Sequence, residues 1–325
     1  MNNIDSEVIV GKNGYLYLGK GGHNIIDYIT GSKKIDKQSF INFEDNIKHR
    51  SDFCLKNNIK YKHFIYPCKH SIMKHNFPIK EYTSLIDFYK PYFTKDVVDM
   101  RDVLNGQTIP VYLKKDTHLN FNGLKISVKY TFEKLLKKYK NYDDIFDACK
   151  NISQETAGDL GSKIIPIESE KRATIKTVWN LKRFNNRSGK GNDGLIHIVF
   201  NVNKLNRFEF NRCVIFGDSF SYLNLPLLSY EFSEILFMRT RYFHEEIVSM
   251  FKPDVVISQN VERYFSYVDS DNNAPRFNLL YGLKGTQYVE DSSFYEAYNA
   301  ILNYGKKPYW DLISKITNSN LNKGN

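Results

Sequence analysis

Between residues 213 and 258 short apolar runs alternate with helix-forming stretches, and this alternation constrains the fold more than any other feature of the chain. Cys213-Val214-Ile215-Phe216 is followed by a helical stretch to Leu228, a strand pattern over 235–238, a helical pattern over 243–251 and a strand pattern over 255–258. Strands that are apolar at nearly every position need cover on both faces, and helical crossovers provide it. The expectation is an α/β fold with a doubly wound, mostly parallel sheet. Ligands of such sheets bind beyond the carboxyl ends of the strands. Ser219, residues 239–241 and residues 259–263 fall there.

Upstream, residues 8–18 read as two short strands around Asn13-Gly14, a pair favoured in tight hairpins because both positions accept positive φ. Phe40, Phe43, Ile47 and Cys54 recur at helical spacing and lead into a strand over 61–66 that Pro67 ends. A helix over 84–93 and short strands over 97–100 and 111–113 follow. Next comes a helix starting near Asn120 or Asn122, striped by Leu124, Val128, Leu135 and Tyr139. Residues 141 to about 210 break the rhythm, with a Gly-, Asn- and Ser-rich stretch over 185–194 and strand-like pieces at 174–179 and 195–202. They are read as a β-containing insertion covering one side of the sheet. The expected organisation is one main domain over 1–281 and an extension over 282–325, with one helix over 293–304 and a polar, frayed end from Asn318.

Composition narrows the function classes. No uncharged apolar stretch is long enough to span a bilayer. Lys and Arg outnumber Asp and Glu by 46 to 36, a formal +10, which favours anionic partners such as acidic polysaccharide, nucleotide-linked sugars, coenzyme A or nucleic acid. No nucleic-acid motif accompanies the charge, and a merely basic, solvated surface accounts for it equally well. Cys54, Cys68, Cys149 and Cys213 show no paired spacing, and the first residues lack the basic start and apolar core of a secretory signal. A cytoplasmic setting is expected, or a periplasmic one if a signal peptide has been removed.

Two short motifs carry the chemistry. Ser219, after Gly217 and Asp218, sits where a buried strand turns into a helix, so backbone N–H groups there can face a developing oxyanion. Asp116-Thr117-His118 places a carboxylate two residues before an imidazole, a spacing that sets both on one face of an extended loop. Hydroxyl nucleophile, imidazole base and orienting carboxylate are the parts of covalent acyl transfer. Each has a structural alternative: Ser219 and Asp116 as helix N-caps, His118 as a partly buried histidine. A metal site needs a third ligand at suitable spacing, and none is evident. The other histidines are read as structural, Glu262-Arg263 as an ion pair tying down a loop, and Lys69 as facing either a pocket or, more simply, solvent.

The motifs occur in a recognisable order: Gly11-Lys12-Asn13-Gly14-Tyr15-Leu16-Tyr17-Leu18, Tyr66-Pro67-Cys68-Lys69, Asp116-Thr117-His118-Leu119-Asn120, Gly158-Asp159-Leu160, Gly217-Asp218-Ser219-Phe220-Ser221, and Lys252-Pro253-Asp254-Val255-Val256 closing on Glu262-Arg263. Over roughly residues 8–265 this resembles the SGNH-hydrolase-like domain of the alginate O-acetyltransferase family. The resemblance implies a circularly permuted motif order, with Asp-x-His upstream of the serine. It implies Ser219 as nucleophile, His118 as base, Asp116 as its partner, and O-acetylation of a polysaccharide through an acetyl-serine. Ordinary SGNH enzymes complete the oxyanion hole with a Gly and an Asn after the second and third strands. Here those segments read Arg239-Thr240-Arg241 and Gln259-Asn260, which makes Arg241 or Asn260 the candidate donor, with Arg239 and Lys69 as further substrate candidates.

The leading expectation is an O-acetyltransferase acting on an acidic, capsule-type bacterial surface polysaccharide, with acetyl-CoA as donor, no metal and possible association with capsule-synthesis machinery. A carbohydrate esterase with the same Ser-His-Asp set is the first alternative. A noncatalytic polysaccharide-binding module is the second.

Overall fold

The structure, a computed structural model, describes residues 6–186, 194–205, 211–279 and 291–321. It divides into two compact units: the first holds Met1–Lys48, His63–Lys176 and Asn260–Ser270, the second His49–Lys62, Thr177–Gln259 and Asp271–Asn325. The Gly-, Asn- and Ser-rich stretch of the sequence and the start of the expected extension at 282 lie mostly outside the described residues.

In the second unit the apolar runs become strands β9 (Arg212–Gly217), β10 (Glu234–Arg239) and, up to Gln259, β11 (Val255–Val261), paired in parallel with β9 in the middle. β9 is buried at every position, which is why its sequence from Cys213 to Phe216 is continuously apolar rather than alternating. β3 (Lys60–Tyr66) lies next to β11, with the Lys60 N–H donating to the Asp254 carbonyl at 3.0 Å. On the other side β8 (Ile196–Asn201) pairs antiparallel with β10, and β7 (Leu181–Asn185) antiparallel with β8. In the first unit the later residues of β3 pair in parallel with β4 (Val97–Asp99). The sheet is therefore mostly parallel with an antiparallel edge.

The segment read as an insertion over one side of the sheet does something else. Its β7 and β8 extend the sheet edge. Its earlier part forms a separate antiparallel pair in the first unit, β5 (Lys150–Thr156) with β6 (Glu170–Ile175). Residues 111–113 are no strand either: Tyr112 makes an isolated bridge to Leu119, closing a tight loop around Asp116 and His118. Three apolar residues satisfy a strand pattern without a partner strand to pair with. The expected hairpin at the start is present, β1 (Val8–Val10) against β2 (Leu16–Leu18), with Asn13 and Gly14 at φ 55° and 75°.

Among the described residues the carboxyl-terminal region holds two helices, Ser292–Leu302 and Lys307–Leu321, where one and a frayed end were expected. Tyr309, Leu312, Ile313 and Ile316 follow helical spacing and join the core that backs β8, β9 and β10. The polar tail obscures that stripe in the sequence. Arg212 is 1% exposed at the start of β9, ion-paired with Glu234 at 2.9 Å, and lies 3.9 Å from the ring centres of both Phe251 and Tyr304. The Tyr309 hydroxyl also bonds Glu234, so the charges are paired and hydrogen-bonded, as burial requires. No helix among the described residues is long and apolar enough to cross a membrane.

Candidate functional site

In the first unit Asp116 and His118 meet as their spacing suggested. The Asp116 Oδ1 lies 2.6 Å from His118 Nδ1 and also accepts the His118 backbone N–H at 2.9 Å. The carboxylate is buried, and the imidazole side chain is 15% exposed. Burial alone would raise the Asp116 pKa, but the hydrogen bonds and charge of His118, with Arg172 at 3.7 Å, hold it well below the usual carboxylate range. Asp116 is not the cap of the next helix: Asn120 is, its side chain accepting the Gly123 N–H at 3.1 Å.

The loop is irregular, and its shape comes from neighbours distant in sequence. Glu170 of β6 accepts the backbone N–H groups of Lys114 and Lys115 at 2.9 and 2.5 Å, and Arg172, two residues along the same strand face, reaches Asp116. Asp159 accepts the Thr117 N–H at 2.6 Å and its hydroxyl. Gly158 has φ +65°, and a Cβ there would meet the Lys115 carbonyl at 2.6 Å and Asp116 Cβ at 2.8 Å, so the Gly158-Asp159 turn packs against Lys115 and Asp116 only because the side chain is missing. The dipeptide stands in the motif order, and its residue types alone disclose no role for it. Asp116, His118 and Asp159 offer three ligand atoms within 4.8 Å of one another, so a third ligand, the Asp159 carboxylate, exists where none was evident. The 2.6 Å separation of His118 from Asp116 is hydrogen-bond length, whereas two ligands of one ion at about 2.1 Å each stand roughly 3 Å apart.

Lys69 does not face solvent but lines a small cavity with His70 and Thr117. It is 4% exposed, and its Nζ donates to the Leu16 and Lys114 carbonyls at 2.7 and 3.0 Å, joining β2 to the Asp-x-His loop. Burial pushes its ammonium down to about 7, against the opposing pull of Asp159, Glu170 and Asp116. Glu262 is no partner of Arg263 in a surface ion pair. Fully buried, it accepts the Cys68 N–H and Ser71 hydroxyl at 2.7 Å, the Ser84 hydroxyl at 2.5 Å and the Leu85 N–H at 3.0 Å, with His70 Nε2 at 3.5 Å. Burial raises its pKa, but His70 and these hydrogen bonds carry it down to about 2. It ties the segment that begins Cys68-Lys69 to the end of β11.

In the second unit β9 ends at Gly217 and the helix Ser219–Leu228 begins. The cap is Asp218, whose carboxylate accepts the Phe220 N–H at 2.9 Å, so Ser219 is the first helical residue and its half-buried hydroxyl is not used as the cap. Gln259, at the end of β11, was passed over in favour of its neighbour. Its Oε1 accepts the Asp218 N–H at 3.1 Å and the Ser221 hydroxyl at 2.9 Å, and a Cβ on Gly217 would lie 2.9 Å from it. A polar residue at a strand end two strands of sequence away was the available signal. Arg241 is exposed and Arg239 half-buried; the loop between them is fixed from below by a buried Arg50–Asp271 pair at 2.7 Å, which holds the Arg241 carbonyl and the Phe243 N–H. Asn260 belongs to the first unit.

No family model matches the sequence, and no curated protein does. The fold is similar to that of Bacillus cereus PatB1 with a sulfonyl adduct, at TM-score 0.57 and 13% identity over 81% of this chain and 97% of that one. It is similar to a DHHW family protein from Eubacterium siraeum, at TM-score 0.55 and 12% identity over 81% and 92%. A third similar structure is the O-acetyltransferase domain of Pseudomonas putida AlgJ, at TM-score 0.51 and 11% identity over 86% and 100%. At the level of fold, the chain shares its architecture with these proteins, an O-acetyltransferase domain among them, in agreement with the resemblance carried by its motifs.

Proposed function

We propose that this protein is an O-acetyltransferase that moves an acetyl group onto hydroxyls of an acidic, capsule-type surface polysaccharide through an acetyl-Ser219 intermediate. The observation that supports this most is the Asp116–His118 pair: an ionised, buried carboxylate at 2.6 Å from Nδ1 makes Nε2 the basic nitrogen. The fold shared with an O-acetyltransferase domain supports acetyl as the group transferred. In the first half-reaction Ser219 Oγ attacks the acetyl carbonyl while His118 takes its proton. The donor bond then breaks, and the leaving group departs with that proton. In the second, a sugar hydroxyl gives its proton to His118, its oxygen attacks the acetyl-serine, and Ser219 leaves and recovers the proton. Backbone N–H groups at the start of the helix, with Arg241, Arg239 or Asn260 as side-chain candidates, stabilise the oxyanion. Acetyl-CoA is the donor we propose, an anionic thioester suited to a chain of net charge +10.

The test uses a chromogenic acetyl ester with and without an oligosaccharide. Faster release with sugar, and a mass increase on the sugar, support transfer; release indifferent to sugar makes the protein a carbohydrate esterase. Release that survives Ser219→Ala at the wild-type rate removes Ser219 as the nucleophile, and polymer acetylation that is unchanged in cells carrying Ser219→Ala leaves a polysaccharide-binding module. Because the mechanism needs both residues in one step, Ser219→Ala/His118→Ala should lose no more activity than the single variants.

A further inference from the structure

One helical turn past Ser219 the second unit carries a surface that the acetyl-transfer step leaves unused. Tyr222 lies three residues along the helix, a rise of about 4.5 Å, and is 39% exposed. Its ring centre is 4.7 Å from that of His197, and Phe237 is 6.1 Å from both. His197 on β8 stands opposite Phe237 on β10 and Asn185 on β7. Strand alternation then puts Arg183 on the same face as Asn185, and Arg183 is exposed at the sheet edge. Among the described residues no carboxylate pairs with Arg183; partial burial of its side chain lowers its pKa against the opposing pull of Tyr222. Burial and the charge of Arg183 push His197 down to about 4, so the imidazole is neutral at pH 7 and the positive charge of this shelf resides on the guanidinium.

An exposed aromatic face next to a forked cation has a defined complement. A sugar ring offers an apolar C–H face to stack on Tyr222 and, if it is a uronic acid, a carboxylate that a guanidinium binds with two parallel hydrogen bonds. A neutral sugar would cover Arg183 without supplying an anion and would leave it partly desolvated and unpaired.

We propose that Tyr222, His197 and Arg183 form an acceptor subsite for an acidic sugar residue, Tyr222 stacking on the ring and Arg183 binding its carboxylate. The word acceptor rests on the reading of Ser219 as the acetyl-carrying residue: a chain held here presents a neighbouring hydroxyl to it. The test is calorimetric binding of a galacturonic acid oligomer and of a cello-oligosaccharide to the Ser219→Ala protein, which needs no turnover. The acidic oligomer should bind more tightly than the neutral one. Adding Arg183→Gln should remove that preference, weakening the acidic oligomer roughly tenfold to a hundredfold, the range for one hydrogen bond to a charged group. Arg183→Lys should keep part of the preference, and Tyr222→Leu should weaken both oligomers. Equal affinity for the two oligomers, no binding of either, or a preference that persists in Arg183→Gln would overturn the subsite. Failure of the acetyl-transfer reading is seen separately, as ester cleavage that survives Ser219→Ala.

Discussion

The loop around Ser219 and the loop around His118 carry the proposed chemistry, one in each unit, and they are held in opposite ways. Ser219 is set by regular local structure: a buried strand, a glycine turn, an Asp218 cap and a helix, with Gln259 as the side chain that reaches in from farther along the sequence. His118 sits on a loop closed by an isolated bridge and shaped by Lys69, Asp159, Glu170 and Arg172. A nucleophile on a strand-to-helix turn inherits its position from hydrogen bonds that the backbone makes anyway. The base depends on buried polar groups, each of which must find its partner or cost free energy.

Variants can break or sharpen this contrast. The largest effect is expected for His118→Ala, a fall in kcat/KM of roughly 10³ or more with little change in melting temperature, read from ester turnover and calorimetry. Glu262→Gln comes next. It replaces a buried anion that accepts several donors, and should cost about 3–5 kcal/mol in urea unfolding. The Glu262 carboxylate is depressed from 4.5 to about 2 on folding, so the unfolded chain binds the proton first. Its contribution, roughly 3 kcal/mol, is therefore present above the unfolded pKa and lost as pH falls from about 4.5 to about 2, and acid unfolding of Glu262→Gln should be correspondingly less steep.

Gly158→Ala tests the irregular loop directly. A left-handed residue with a Cβ against the Lys115 carbonyl should cost about 2–3 kcal/mol and lower kcat by displacing Asp116, with KM little changed. Unchanged kcat would mean that the loop is not shaped by its packing on this turn. The smallest effect is expected for Gln259→Leu, which strands the Asp218 N–H and the Ser221 hydroxyl at about 1 kcal/mol each, measured by urea unfolding. A larger loss there than in Gly158→Ala would reverse the contrast and show the serine loop to be the more dependent on tertiary contacts.

Sequence periodicity revealed the parallel core, because the run Cys213 to Phe216 of β9, buried on both sides, is apolar at every position. It missed the helix Lys307–Leu321, whose Tyr309, Leu312, Ile313 and Ile316 stripe was hidden by polar residues, and it took residues 111–113 for a strand. The Asp116–His118 pair was visible because the two residues are close in sequence. Glu170 and Arg172 had no such signal: they lie 40 or more residues from the base, Glu170 accepting backbone N–H groups and Arg172 reaching the Asp116 carboxylate.

What the sequence by itself determined is the α/β class, the parallel run from β9 to β11, and a carboxylate beside an imidazole; these follow from spacing, and spacing acts over a few residues. Only the tertiary structure decided that Lys69 is buried as a clamp, that Glu262 knots one segment to another, and that Gln259 braces the serine turn. A buried polar atom takes whichever partner the folded chain brings within hydrogen-bonding distance, and that partner's position along the chain is not written in its neighbours.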